Sequence, residues 1–364
     1  MTFVVIALPF STKPQKGYLM KIGNFSKGAK VAAVAVAMAV SGTFAHAADT
    51  SLTGSGASFP FPLYSAWFKD FGQKTGIEVN YQAKGSGGGI EDFTNRVVDF
   101  AASDAAMNDE EIAKINGGVV LLPMTAGEVV LAYNLDGVSE LKLPRDVYPK
   151  IFLGEITKWN DEAIAAANEG VDLPDENITV VVRSDSSGTN FNFTNHLAAI
   201  SEEFNSTVGG GKTVPWPKAS NFVAAPGNQG ITATVKQTPG AIGYIEYGYA
   251  QQTNTPYAML ENQAGNFVKA GPEAGSAALA SAELDANNVA FITDPKGEQA
   301  YPIATFTWML FYKDGQDADT VAALKEMVNY GLTTGQTMAD KLGYIPLPEN
   351  IIEINKKALE EIGG

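Results

Sequence analysis

Short runs rich in β-branched and aromatic residues alternate along the chain with stretches in which apolar side chains recur every three or four positions. Residues 79–82, 178–183, 242–247 and 303–312 have strand character. Residues 61–73 predict a helix, with Leu63, Trp67, Phe68 and Phe71 on one face, and Ile90, Phe93 and Val97 predict another over residues 90–98. A third helical period covers residues 190–197, and an amphipathic pair, residues 318–330 and 351–362, closes the chain. Strands that alternate with helices in this way point to α/β layers. Residues 122–127 and 300–305 are candidate crossings between two lobes, one built from both ends (48–126 and 303–364) and one from the middle (127–302). Such a division places a cleft between the lobes, a common seat for a ligand.

The N-terminal pattern is different in kind. Lys21, Lys27 and Lys30 precede the apolar run 31–40, and Ala45, His46 and Ala47 offer a small-residue cleavage site, so residues 1–47 predict a signal peptide. The run is too short for a membrane span, which needs about 20 apolar residues. Residues 1–19 lie upstream of a second candidate start, Met20. Removing residues 1–47 takes away five lysines and no acid, leaving 20 basic against 40 acidic residues. That surface repels nucleic acid and acidic membranes. With no cysteine in the chain, disulfides, thiolate metal sites and a lipid-anchored form are excluded.

Three stretches share one chemical pattern, a Gly-rich loop with hydroxyl side chains that runs into a helical period. They are residues 54–59 (GSGASF), 84–89 (KGSGGG) and 183–189 (RSDSSGT). A helix start presents unpaired N–H groups and partial positive charge, glycine lets a ligand approach the backbone, and Ser or Thr adds a donor. Ordinary helix caps use the same residues. Arg183 strengthens the anion reading in the third loop, because its fork can hold an oxyanion while Asp185 orients it. Asp104 ends the stretch 99–104 and is useful to an anion site only if the ligand carries a proton, which phosphate does near neutral pH and sulfate does not. The alternative is that Asp104 caps the helix ahead of Asn108.

The order of motifs resembles a known family. Residues 51–60 (SLTGSGASFP), 79–82 with the glycines that follow, 98–104, 151–159 (IFLGEITKW), 183–189 and 239–247 (PGAIGYIEY) are similar to the phosphate-binding proteins of phosphate-specific ABC transporters, the PstS family. The resemblance spans essentially the whole chain after residue 47. It implies an α/β, two-lobed periplasmic binding protein fold of type II, with two hinge crossovers and the ligand in the interdomain cleft. It implies further that Ala57, Ser58, Phe59 and Ser86 line the phosphate, that Asp104 accepts its proton, and that Arg183 pairs with it while Asp185 orients the guanidinium. Ser187, Gly188 and Thr189 then donate from a helix start. A monomer is implied, with an inner-membrane permease as its partner and no cofactor or metal. Ser58 stands where Thr is common in that family, and Lys84 and the glycines 87–89 depart from its usual Ser/Gly pattern.

Other signals carry less. Residues 206–213 almost spell a P-loop but lack the first glycine and a preceding strand. His196 is the only histidine after residue 47, and without partners it reads as structural. Trp67, Trp159, Trp216 and Trp308 sit among apolar neighbours and read as core. The sequence therefore predicts a receptor that works by binding and closure, and not an enzyme. The rivals are a receptor for sulfate, molybdate or phosphonate, a secreted phosphatase or Ser hydrolase using Ser187 or Ser86, and a sensor or adhesin on the same scaffold.

Overall fold

The computed structural model describes residues 51–364 apart from Ser281. The signal peptide expected over residues 1–47 lies outside the described residues. Eleven strands are present among them: β1 (Ser51–Gly56), β2 (Glu78–Ala83), β3 (Phe100–Ser103), β4 (Val119–Tyr133), β5 (Lys142–Leu143), β6 (Thr179–Arg183), β7 (Phe222–Ala225), β8 (Ala241–Glu246), β9 (Met259–Glu261), β10 (Phe267–Val268) and β11 (Ala304–Tyr312). The α-helices are α1 (Phe61–Thr75), α2 (Ser86–Thr94), α3 (Asp109–Ile112), α4 (Tyr148–Leu153), α5 (Glu162–Ala165), α6 (Gly188–Ile200), α7 (Glu202–Thr207), α8 (Gly227–Gln237), α9 (Tyr247–Thr253), α10 (Pro272–Leu279), α11 (Ala318–Leu332) and α12 (Glu349–Ala358).

Eight strands form one mixed sheet in the order β2-β1-β3-β11-β4-β8-β6-β7, and β10, β9 and β5 make a small second sheet. Strand β4 belongs to both halves of the large sheet. Its first part, to Glu128, pairs antiparallel with β11, and from Val129 to Tyr133 it pairs with β8. The change of partner falls beside the crossing expected at residues 122–127, and β11 begins at the other expected crossing. Pro123 cannot donate to a ladder, and a central strand tolerates it here because the register shifts between Thr307 and Trp308, opposite Pro123 and Met124.

Each candidate loop joins a strand to a helix. Helix α1 forms as its apolar period predicts, with Leu63, Tyr64, Trp67, Phe68 and Phe71 buried, each such side chain stabilising the fold by about 1.5–3 kcal/mol relative to exposure. It ends at Gly76, whose φ of 81° is the left-handed conformation of a helix stop. The second helix differs from expectation. It begins at Ser86 and ends at Thr94, four residues earlier at each end than the apolar spacing predicts. Glycines 87–89 are poor helix formers, but tertiary contact requires them: a Cβ on Gly89 would lie 2.4 Å from the Gly56 Cα, and one on Gly87 2.1 Å from the Ser186 Oγ.

Candidate functional site

The turn after β1 is held by its carbonyls. Tyr81, Tyr249 and Tyr344 donate their hydroxyls to the carbonyls of Ala57 (2.8 Å), Ser58 (2.6 Å) and Phe59 (2.7 Å). The Ala57 N–H goes to the Ala102 carbonyl, so Ala57 retains no unpaired polar group and contributes shape alone. The N–H groups of Ser58 and Phe59 have no partner among the described residues. Ser58 Oγ accepts from the backbone and side-chain nitrogens of Asn228, each at 3.0 Å, with Arg183 Nη2 at 3.4 Å. With its lone pairs engaged, the Ser58 hydroxyl proton is left to donate elsewhere.

Ser86 opens α2 and ties the second loop to the third. Its Oγ accepts from the N–H of Gly188 at 3.0 Å and from that of Asp104 at 3.2 Å. Gly188 has to be glycine: a Cβ there would lie 2.5 Å from Ser86 Oγ and 2.7 Å from Asp104 Oδ2. In the third loop, Ser187 caps α6 by accepting from the Asn190 N–H. Since the first N–H groups of a helix have no partner within it, and those of Gly188 and Asn190 are taken, the Thr189 N–H remains without a partner among the described residues.

Arg183 ends β6 with its side chain 1% exposed. Its Nε and Nη2 donate to the two carboxylate oxygens of Asp185, which also accepts from the Gly227 N–H at 3.0 Å. Burial alone would raise Asp185, but the hydrogen bonds and charge of Arg183 outweigh it and hold the carboxyl below its ordinary value. Arg183 Nη1 is buried and has no partner among the described residues. An orphaned guanidinium N–H in the interior is costly unless a ligand oxygen satisfies it.

Asp104 is also buried, 1% exposed, and it has no ion-pair partner among the described residues. Its Oδ1 accepts from the Thr307 hydroxyl at 2.8 Å, and its carbonyl accepts from Asn192 Nδ2 at 2.7 Å. Burial pushes its carboxyl up to about 7, against the pull of Thr307, Arg183 and Ser86. The helix after it is capped by Asn108, so the alternative role of Asp104 as that cap does not hold. Buried backbone and hydroxyl donors, one guanidinium and one carboxylate thus meet in one place. That set suits a tetrahedral oxyanion that keeps a proton for the carboxylate to accept.

The sequence pattern of the PBP superfamily domain matches residues 43–330. Over 307 residues the chain is 38% identical to the phosphate-binding protein PstS of Pasteurella multocida, covering 83% of this chain and 88% of that protein. It is 40% identical over 311 residues to the PstS of Xylella fastidiosa, covering 84% of each. This chain belongs to the PstS family. Its fold is that of a phosphate-binding protein from Stenotrophomonas maltophilia, with a TM-score of 0.64 at 22% identity over 85% of this chain and 93% of that one.

The structure brings Ser58, Ser86, Asp104, Arg183, Asp185, Ser187, Gly188 and Thr189 together. It adds residues that sequence reasoning missed. Asn228 bridges Ser58 Oγ and Thr189 Oγ1 through one amide, while its Oδ1 accepts from the Glu246 N–H. Its setting, residues 227–230 (GNQG) at the start of α8, is a fourth glycine-rich helix start that could have been flagged. Thr307 lies in an apolar strand and carries no comparable signal. Lys84 is drawn away to Asp92, at 2.7 and 2.9 Å. The P-loop look-alike buttresses the third loop, since the Lys212 carbonyl accepts from the Ser187 N–H. His196 is buried with Nε2 on the Tyr148 hydroxyl, and burial pushes its pKa down to about 3, so the ring is neutral.

Proposed function

We propose that this protein captures one inorganic phosphate ion between two lobes and delivers it to the permease of an ABC importer. The reading rests above all on one observation, the buried Arg183 Nη1 that has no partner among the described residues, in the same site as the buried carboxylate of Asp104. A guanidinium donor and a carboxylate acceptor in the same dry site call for a ligand that is both anionic and protonated. The relatives' names, phosphate-binding protein PstS, support the same ligand. Ser58, Phe59, Ser86, Arg183, Ser187 and Thr189 donate and Asp104 accepts; Gly188, expected as a donor, gives close approach instead, because its N–H is held by Ser86 Oγ, while Asp185 orients the guanidinium and Ala57 shapes the turn.

The lobes are residues 48–126 with 303–364, and residues 127–302, and closure pivots where β4 changes partner. The mature chain acts as a periplasmic monomer once the signal peptide is cleaved near Ala47. Its work is binding, without covalent chemistry, and a hydrolase would need a base that the neutral His196, engaged with Tyr148, does not supply.

Calorimetry of the mature protein with phosphate, sulfate and molybdate near pH 8 tests this. One phosphate per chain is expected, with no competition from the other two. Sulfate bound as tightly as phosphate, or turnover of a phosphomonoester by the purified protein, would refute the reading.

A further inference from the structure

Thr307 owes its position to the antiparallel register of β11 on β3. Trp308 lies across from Ser103 of β3, and one step beyond that pair the Thr307 hydroxyl meets Asp104 Oδ1 at 2.8 Å. Both residues are buried, so water does not compete for this bond.

The bond divides the carboxylate. Oδ1 is occupied, while Oδ2 faces the start of α6, close enough that a Cβ on Gly188 would stand 2.7 Å from it. We propose that Thr307 is a specificity-determining positioning residue: by holding Oδ1 it commits Oδ2 to the start of α6 as a proton-free acceptor, so the site takes a proton-bearing oxyanion and refuses a fully deprotonated one. The inference rests on the reading of Asp104 given above. Were Asp104 itself protonated, it would donate to sulfate and the basis of the choice would vanish.

Other groups act on the same carboxylate. Burial raises it most and Asp185 raises it further, while Thr307, Arg183 and Ser86 lower it. Tyr64 from α1, Tyr81 from β2, Tyr249 from α9 and Tyr344 also feel its charge, but burial keeps their hydroxyls neutral. The Tyr64 hydroxyl, buried close to Thr307, has no partner among the described residues, and Oδ1 takes its hydrogen bond from Thr307.

Thr307→Val and Thr307→Ala remove the hydroxyl, and Thr307→Ser keeps it. Competition of sulfate against phosphate is measured by calorimetry from about pH 6 to about pH 9. Without the hydroxyl, sulfate is expected to compete at a pH about one unit higher than in the natural protein, and phosphate affinity near pH 8 to fall roughly tenfold. Thr307→Ser restores both. Val and Ala variants whose competition profiles overlay the natural one overturn the proposal, and so does a Ser variant that behaves like the Ala variant. Asp104→Asn separates the two readings. If sulfate stays excluded from that variant, the role of Asp104 is wrong; if it enters there but not in the Thr307 variants, the role of Thr307 alone falls.

Discussion

Asp185, in the turn from Arg183 to Thr189, is partly buried and Asp104, at the end of β3, is fully buried, and the two carboxylates handle charge in opposite ways. Asp185 accepts two guanidinium hydrogen bonds and a backbone N–H, and it stays ionised below the ordinary range. Asp104 has a single side-chain donor on Oδ1 and no ion pair, and burial carries it up to about 7. The first arrangement makes an anchor that keeps its charge through the neutral range. The second makes an acceptor whose usefulness depends on its protonation, which is what a choice between protonated and unprotonated ligands requires.

The sharpest way to break this contrast is to remove the anchor. Arg183→Met should weaken phosphate binding by more than about 2 kcal/mol, because a charged donor in a closed site is lost and Asp185 is left without its partner. Unchanged affinity in calorimetry would mean that Arg183 serves the fold alone.

Asp104→Asn tests the other side through stability. The Asp104 carboxyl is raised from an ordinary value of 3.8 to about 7 in the folded protein. Its favourable contribution is therefore complete below about pH 4 and is lost as pH rises through about 7. The phosphate-free variant should melt with the natural protein near pH 4 and above it near pH 8, by the equivalent of about 1–3 kcal/mol. Parallel melting curves at both pH values would show that burial does not strain this acid.

A smaller effect is expected where the two halves meet at the surface. Lys212, beside the third loop, pairs with Glu111, which also closes the capping box of α3. Lys212→Met should raise the phosphate Kd by no more than about fivefold, and less in high salt, since an ion pair at the edge of solvent contributes about 0–1 kcal/mol. A loss as large as that from Arg183→Met would move the anchor from the guanidinium to this pair.

Legibility along the sequence followed the range of the interactions. Strand and helix periods placed β2, β6, β8, β11, α1 and α11 to within a residue or two, because alternation and helical spacing are local. The start of α2 was displaced because three glycines look like a loop until Gly56 and Ser186 are seen packed against them. Arg183, Asp185 and Ser187 were legible because a helix cap and a nearby ion pair are written within seven residues of chain. Asn228 left a weak trace in its glycine-flanked helix start. Tyr249 and Tyr344, which hold the first turn, left none, since they reach it from 191 and 285 residues away.

By itself the sequence determined the class of layers, the three helix starts rich in donors, the arginine among them and the acidic surface an anion must overcome. Those features depend on backbone propensity, local capping and composition, all of which act over a few residues. Only the tertiary structure decided which oxygen of Asp104 faces the start of α6, and that Thr307 holds the other. That outcome depends on the register of β11 against β3, which sets Trp308 opposite Ser103, and a one-residue slip in a ladder turns every side chain to the other face.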